Sequence, residues 1–226
     1  MDSLHRTRLL YGEDAIAGLK KSCVAVFGIG GVGGHAAHSL ARMGVGKLII
    51  ADRDVVDITN VNRQIVADHN TVGMPKTDVM ENMINAVSPD TCVVKYQHSF
   101  GDDYGIVFDE HHVDVVIDCI DDVKAKVNLI CYCKQRGIRI VSSMGTALRF
   151  HPELVEITDI FKTSYDPLAR VMRKELRKRG IDSLDVVCSR EEPQPRQDDA
   201  LGSGAFVPAA AGLVAASWAV RQITGK

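Results

Sequence analysis

Short, nearly unbroken apolar runs alternate along this chain with longer stretches of helical spacing. The apolar runs fall at residues 23–27 (CVAVF), 47–52 (KLIIAD), 92–97 (CVVKYQ), 113–121 (VDVVIDCID), 138–143 (IRIVSS) and 154–159 (LVEITD). A strand covered on both faces has no solvent side, so it needs no polar alternation. Residues 32–43, 71–87 and 123–136 instead follow a helical period, with Val79, Met83 and Val87 on one face of the second. Asp166-Pro167 offers an N-cap and a proline at the first helical position, opening a helix that ends at Gly180. A terminal helix is expected over about 205–223. Strands alternating with helices predict an α/β, Rossmann-like fold: a mainly parallel sheet with helices on both faces. Residues 54–70 read as a functional loop containing a short helix. Residues 189–204 (SREEPQPRQDDALGSG) mix charge, Pro and Gly without period and predict a mobile loop.

At 226 residues, 46% hydrophobic and 25% charged, the composition is that of a globular protein with room for a single domain, 1–226. The formal net charge of −2 gives no overall attraction to nucleic acid, so such a partner needs a local patch. Six cysteines without a C-x-x-C pair exclude the paired-thiolate zinc signature, and most lie in apolar runs. A reducing, cytoplasmic location is expected. Residues 202–220 are uncharged but Ala/Gly-rich and hold Pro208, which favours a buried or interface helix over a membrane span. His35 with His38, and His111 with His112, lack a third ligand at metal spacing.

The chemistry concentrates at the first turn. Gly28, Gly30, Gly31 and Gly33 follow the first strand and open the first helix, where glycines let backbone N–H groups approach phosphate. Asp52 ends the next strand at the spacing of a ribose-binding acid, and Asp54 follows closely enough to join the cofactor-binding set. Glycines and Asp52 alone would suit a nicotinamide dinucleotide. Asn60, Arg63 and Lys76 lie just downstream, however, and Asp118 and Asp121 end a later strand. A parallel sheet gathers such residues beyond the carboxyl ends of its strands. Cations clamping phosphates, with a carboxylate for Mg²⁺, suit ATP attacked at its α-phosphate, where charge grows on departing pyrophosphate.

GIGGVG, ADRDVVDITNVNRQ, GMPK and DCIDD, in that order, resemble the ubiquitin-activating-enzyme-like superfamily of MoeB/ThiF adenylating enzymes. The resemblance implies that Gly31 lies in the phosphate turn and that Asp52 binds ribose. It makes Asn60 and Arg63 the N-x-x-R element, Lys76 the phosphate lysine and Asp121 the magnesium-associated aspartate. It also implies a homodimer in which Arg8 reaches the ATP of the other subunit. The RTRLLYG start, the DPLA helix, the serine/glycine-initiated last helix and the missing C-x-x-C pairs make the chain most similar to the tRNA threonylcarbamoyladenosine dehydratase branch. That branch implies ATP-dependent cyclisation of a modified adenosine in tRNA, by adenylation of its carboxylate. The alternatives are an adenylating activator of a ubiquitin-like sulfur carrier and an NAD-dependent oxidoreductase.

A tRNA substrate directs attention to Arg170, Arg173, Lys174, Arg177 and Lys178 on the helix after Pro167, whose bland reading is a solvated face. A sulfur-relay partner is a further implication of the branch, although DDALGSGAF carries no cysteine. Cys188 is read as a strand-end core thiol in the one segment with a chance of exposure. Lys124 and Lys126 read as solvated, and Ser142, Ser143 and Thr146 as candidates for a substrate loop.

Overall fold

The structure of the chain is a computed structural model that describes residues 2–100, 103–196 and 200–226. Its seven strands are β1 (Cys23–Phe27), β2 (Lys47–Ala51), β3 (Cys92–Tyr96), β4 (Val115–Asp118), β5 (Arg139–Ser143), β6 (Val155–Asp159) and β7 (Asp185–Ser189). They form one sheet in the order β3-β2-β1-β4-β5-β7-β6. Every pairing is parallel except β6 with β7, where Ile157 lies opposite Val187. The α/β, mainly parallel arrangement follows from the fully buried apolar runs of β1 and β4.

Helices cover both faces. They are α1 (His5–Tyr11), α2 (Glu13–Lys21), α3 (Gly33–Arg42), α4 (Lys76–Val87), α5 (Gly105–Glu110), α6 (Val123–Gln135), α7 (Pro167–Arg177) and α8 (Phe206–Thr224). Alternation along β1 divides the core. Val24 and Val26 join Leu40, Met80 and Trp218 on one face. Ala25 and Phe27 join Tyr104, Ile130 and Met172 on the other. By length and composition α8 could cross a membrane, yet half of it is buried. It packs on α2 and α3 and across the sheet. A Cβ at Gly212 would stand 2.3 Å from the Val32 carbonyl oxygen, so small residues set how closely α8 meets α3.

Several sequence expectations change. The apolar run at 113–121 keeps only four residues as strand, because Asp118 turns inward and the backbone bends towards α6. The helix expected from 71 starts at Lys76, with Pro75 as N-cap. The VVCS run becomes β7, a central strand, and pushes β6 to the antiparallel edge. Cys188 keeps its expected place as a core thiol, at 5% exposure, and burial raises its pKa to about 11. Cys92, at the start of β3, is the exposed cysteine instead. Within the expected mobile loop, residues 197–199 lie outside the described residues. Its flanks are anchored: Gln194 N–H donates to the Leu148 carbonyl, and Asn62 Nδ2 donates to the Ser203 carbonyl.

Candidate active site

The loops leaving β1, β2, β4 and β5 at their carboxyl ends enclose a cleft of about 840 Å³, within the range of small-molecule sites. Its floor is the glycine turn. Gly28 has φ +88°, and a Cβ there would meet the Cys119 carbonyl oxygen at 2.6 Å. A Cβ at Gly33 would fall 1.8 Å from the Gly28 oxygen, so only glycine lets the turn close on itself. Gly28 N–H donates to the Ala51 carbonyl, locking the turn to β2.

Asp52 organises the adjoining loop. Its carboxylate accepts hydrogen bonds from Ile29 N–H at 2.6 Å and Asp54 N–H at 2.9 Å. Burial raises its pKa above the ordinary 3.8, opposed by nearby Lys76 and by the two backbone donors. A carboxylate has lone pairs for more than these two donors, so it can also take ribose hydroxyls. Lys76, 6% exposed at its side chain, extends its Nζ to 3.0 Å from Asp54 Oδ2. Asn60 is buried and caps its own turn by accepting from Asp57 N–H at 3.1 Å. Arg63 donates to the Thr59 carbonyl at 2.8 Å and to Asn62 Oδ1 at 2.9 Å. Asp121 is exposed, while its neighbour Asp122 caps α6 by accepting from Ala125 N–H.

The cleft thus brings together Gly28, Gly30, Gly31, Asp52, Asp54, Asn60, Arg63, Lys76 and Asp121. Gly33, just beneath, belongs to the turn through its contact with Gly28. Arg8 lies elsewhere: its guanidinium binds Asp2 at 2.8 Å and Glu13 at 2.9 Å within its own chain.

Asp118 does not face the phosphate region. It is fully buried, 2.9 Å from Lys126 Nζ, and accepts the Ser142 hydroxyl at 2.6 Å. Lys126 is therefore a core cation, not the solvated side chain that a lysine near a helix start suggests. Ser142 likewise serves Asp118 and leaves the substrate wall to Ser143, Met144, Gly145, Thr146 and Ala147. Gln64 lines the cleft too, with a buried Oε1 that has no hydrogen-bond partner among the described residues. Its position directly after Arg63 in NVNRQ was the available sequence signal.

On α7 the basic residues divide. Arg170 and Lys174 are exposed, whereas Arg173 donates to Thr163. Arg177 lies 5.0 Å over the Phe161 ring, and Lys178 and Arg179 are paired with Glu175.

A magnesium ion carried by ATP takes most ligands from phosphate and water and one or two from carboxylates. The exposed Asp121 carboxylate on the cleft fits that modest demand. No group of three His, Cys, Asp or Glu side chains among the described residues is arranged for an all-protein metal site.

Comparison with known proteins places this geometry. A tRNA threonylcarbamoyladenosine dehydratase of Bacillus subtilis is 39% identical over 227 residues, spanning 92% of this chain and 89% of the relative. The Escherichia coli protein of the same name is 34% identical over 248 residues, spanning 97% and 92%. The crystal structure of the Escherichia coli enzyme in complex with ATP matches at a TM-score of 0.92 and 33% identity, covering 99% of this chain and 94% of that one. The ThiF family pattern covers residues 4–226. With that match across the cleft, the sheet and both flanking helix layers, the chain belongs to the ThiF family.

Proposed function

We propose that this chain binds ATP in the cleft and uses it to cyclise threonylcarbamoyladenosine in tRNA. The observation that carries the reading is the convergence of the glycine turn, Asp52, Lys76, Arg63 and Asp121 on one cleft whose second wall, residues 143–147, is left for a substrate. Asp52 accepts ribose hydroxyls. Lys76 and Arg63 stabilise charge on the phosphates, and Asp121 would hold a magnesium ion that, when bound with ATP, would supply Lewis-acid polarisation there.

The substrate carboxylate attacks the α-phosphorus and pyrophosphate departs. The carbamoyl oxygen then attacks the acyl carbon, AMP leaves with the former carboxylate oxygen, and the ring closes. A nucleophile within the substrate turns the second step into a proximity effect, so no enzyme thiol takes part. Cys188 is buried, and Cys92 lies at the amino edge of the sheet, opposite the cleft; neither supports a sulfur relay.

Two further elements belong to this reading. The exposed cations of α7 meet tRNA phosphates. In a homodimer, Arg8 exchanges Asp2 and Glu13 for the ATP of a second copy. A cytoplasmic location follows from a tRNA substrate.

The test is incubation with ATP, Mg²⁺ and threonylcarbamoyladenosine-bearing tRNA, followed by mass analysis of the digested nucleosides. The expected result is a loss of about 18 Da, the mass of the water removed once its oxygen is a good leaving group. Arg63→Ala or Lys76→Ala abolishes that loss with little change in folding. Full turnover in either variant refutes the phosphate clamp. Adenylation of a protein C-terminus in place of tRNA would reassign the substrate.

A further inference from the structure

We propose that the backbone N–H of Thr146, with that of Ala147 beside it, is the oxyanion-binding donor of the ring-closing step, and that buried Arg149 is the residue that aims it. The proposal rests on the adenylation reading above.

The loop after β5 is gripped from behind. Asp166 accepts the Gly145 N–H at 2.9 Å, and Arg149 Nη1 donates to the Gly145 carbonyl at 2.8 Å and to the Ala147 carbonyl at 3.1 Å. Arg149 Nε donates to the Glu191 carbonyl at 3.2 Å, and its Nη2 lies 3.5 Å from Asp166 Oδ2. The side chains of this pair are 2% and 0% exposed, so neither can touch a substrate. Glu191 completes the support by accepting the N–H groups of Phe150 and His151. Three acidic or basic side chains are thus buried behind this loop, Asp166 also capping α7 by accepting the Ala169 N–H, so each is partnered without reaching the cleft.

What the grip achieves follows from peptide geometry. In a trans peptide the carbonyl and the next N–H point in opposite directions. The Gly145 carbonyl points inward at buried Arg149, so the Thr146 N–H of the same peptide points away from Arg149. Residues 145–147 line the cleft, and neither the Thr146 nor the Ala147 N–H has a hydrogen-bond partner among the described residues. A guanidinium on the carbonyl also polarises that peptide, strengthening its N–H as a donor.

A donor on the wall of the same cleft as the phosphate clamp suits a charge that develops during acyl transfer. As the carbamoyl oxygen bonds to the acyl carbon, the C=O pair moves onto its oxygen. The return of that pair breaks the bond to the AMP oxygen, and the carbamoyl nitrogen loses its proton to water. The Thr146 N–H, with its hydroxyl nearby, receives the transient oxyanion. Arg149 acts through the loop and is a positioning residue.

The experiment replaces the amide of Thr146 by an ester, which removes the N–H while keeping the side chain and chain path. ATP binding is measured by calorimetry, pyrophosphate release reports adenylation, and single-turnover mass loss reports ring closure. The expected result is ring closure slowed by roughly a hundredfold to a thousandfold, the scale of a lost oxyanion donor, with ATP affinity unchanged. Arg149→Lys, which keeps the charge but cannot span the same carbonyls, slows the same step by a smaller factor at unaltered ATP affinity. Wild-type ring closure in the ester variant, or an equal loss of ATP affinity, overturns the inference. If the unmodified protein itself releases pyrophosphate only with a protein C-terminus, the underlying reading fails instead.

Discussion

Lys126 Nζ stands 2.9 Å from Asp118 Oδ2, and both side chains are completely excluded from solvent. The same carboxylate accepts the Ser142 hydroxyl and the Ile120 N–H, so one buried charge ties together β4, β5, α6 and the bend leading to Asp121. Removing one partner of such a pair leaves the other charged and unsolvated, which costs about 3–5 kcal/mol. Lys126→Met should lower the urea unfolding free energy at neutral pH by that amount, and adding Asp118→Asn should recover part of it. A change below about 1 kcal/mol in Lys126→Met, the scale of an exposed pair, would show that the pair carries no such strain.

Asp52 should make nucleotide binding sensitive to acid. In the proposed role its ionised form accepts the ribose hydroxyls, and burial raises its pKa above 3.8. Acidification therefore begins to weaken ATP binding at a higher pH than an ordinary aspartate would allow. The folded chain also holds this proton more tightly than the unfolded chain. Its contribution to stability is thus largest below the ordinary value and declines as pH rises through the folded one. Asp52→Asn should remove the acid-dependent step and lower ATP affinity at neutral pH by about tenfold to a hundredfold, the scale of one charged hydrogen bond. Calorimetric titration across the acidic range checks both.

The floor of the cleft tolerates no side chain at Gly33. Gly33→Ala puts a Cβ 1.8 Å from the Gly28 carbonyl oxygen, and only movement of the turn relieves it. Loss of ATP binding with a clear drop in melting temperature is expected. Gly137→Ala is the comparison: φ there is +68°, but nothing lies within 4 Å of the added atom. That variant should cost only the left-handed penalty of about 1–2 kcal/mol and keep its nucleotide.

On α7 the cations are not equivalent. Arg170 and Lys174 are exposed and have no acidic partner among the described residues, while Glu175 partly neutralises Lys178 and Arg179. Reversing Arg170 and Lys174 to glutamate should weaken tRNA binding and reduce the slope of log affinity against log salt by about 2. Reversing Lys178 and Arg179 should do less, and ATP affinity should hold in both. Filter binding at several salt concentrations measures the difference. An unaltered slope in the first variant would return α7 to a merely solvated face.

Local chemistry was enough to announce much of this protein. Continuous apolar runs specify strands buried on both faces, because no solvent side exists to demand a polar residue. Glycines directly after such a run can only make a close turn, and an acid ending the following strand lands beside them, since adjacent parallel strands finish at the same edge. The glycine turn and Asp52 were legible for that reason, and Asn60, Arg63 and Lys76 through the family resemblance.

Partnership over long sequence distances was not legible. Whether a lysine is solvated depends on what packs over it: Lys126 and Lys124 look alike in sequence, but only Lys126 meets Asp118, the carboxylate that Ser142 of the neighbouring strand also binds. Cys188 is the core thiol its apolar run suggested, but the insertion of β7 between β5 and β6 that buries it is a pairing no periodicity encodes. Arg149, Asp166 and Glu191 lie 17 to 42 residues apart in pairwise separation, by subtraction of their positions, and gain meaning only when the fold closes them around the loop after β5. Residue type and spacing determined the elements and the nucleotide turn. Tertiary packing decided which charges are buried, which are free and how the loop after β5 is held, because desolvation is a property of the assembled core.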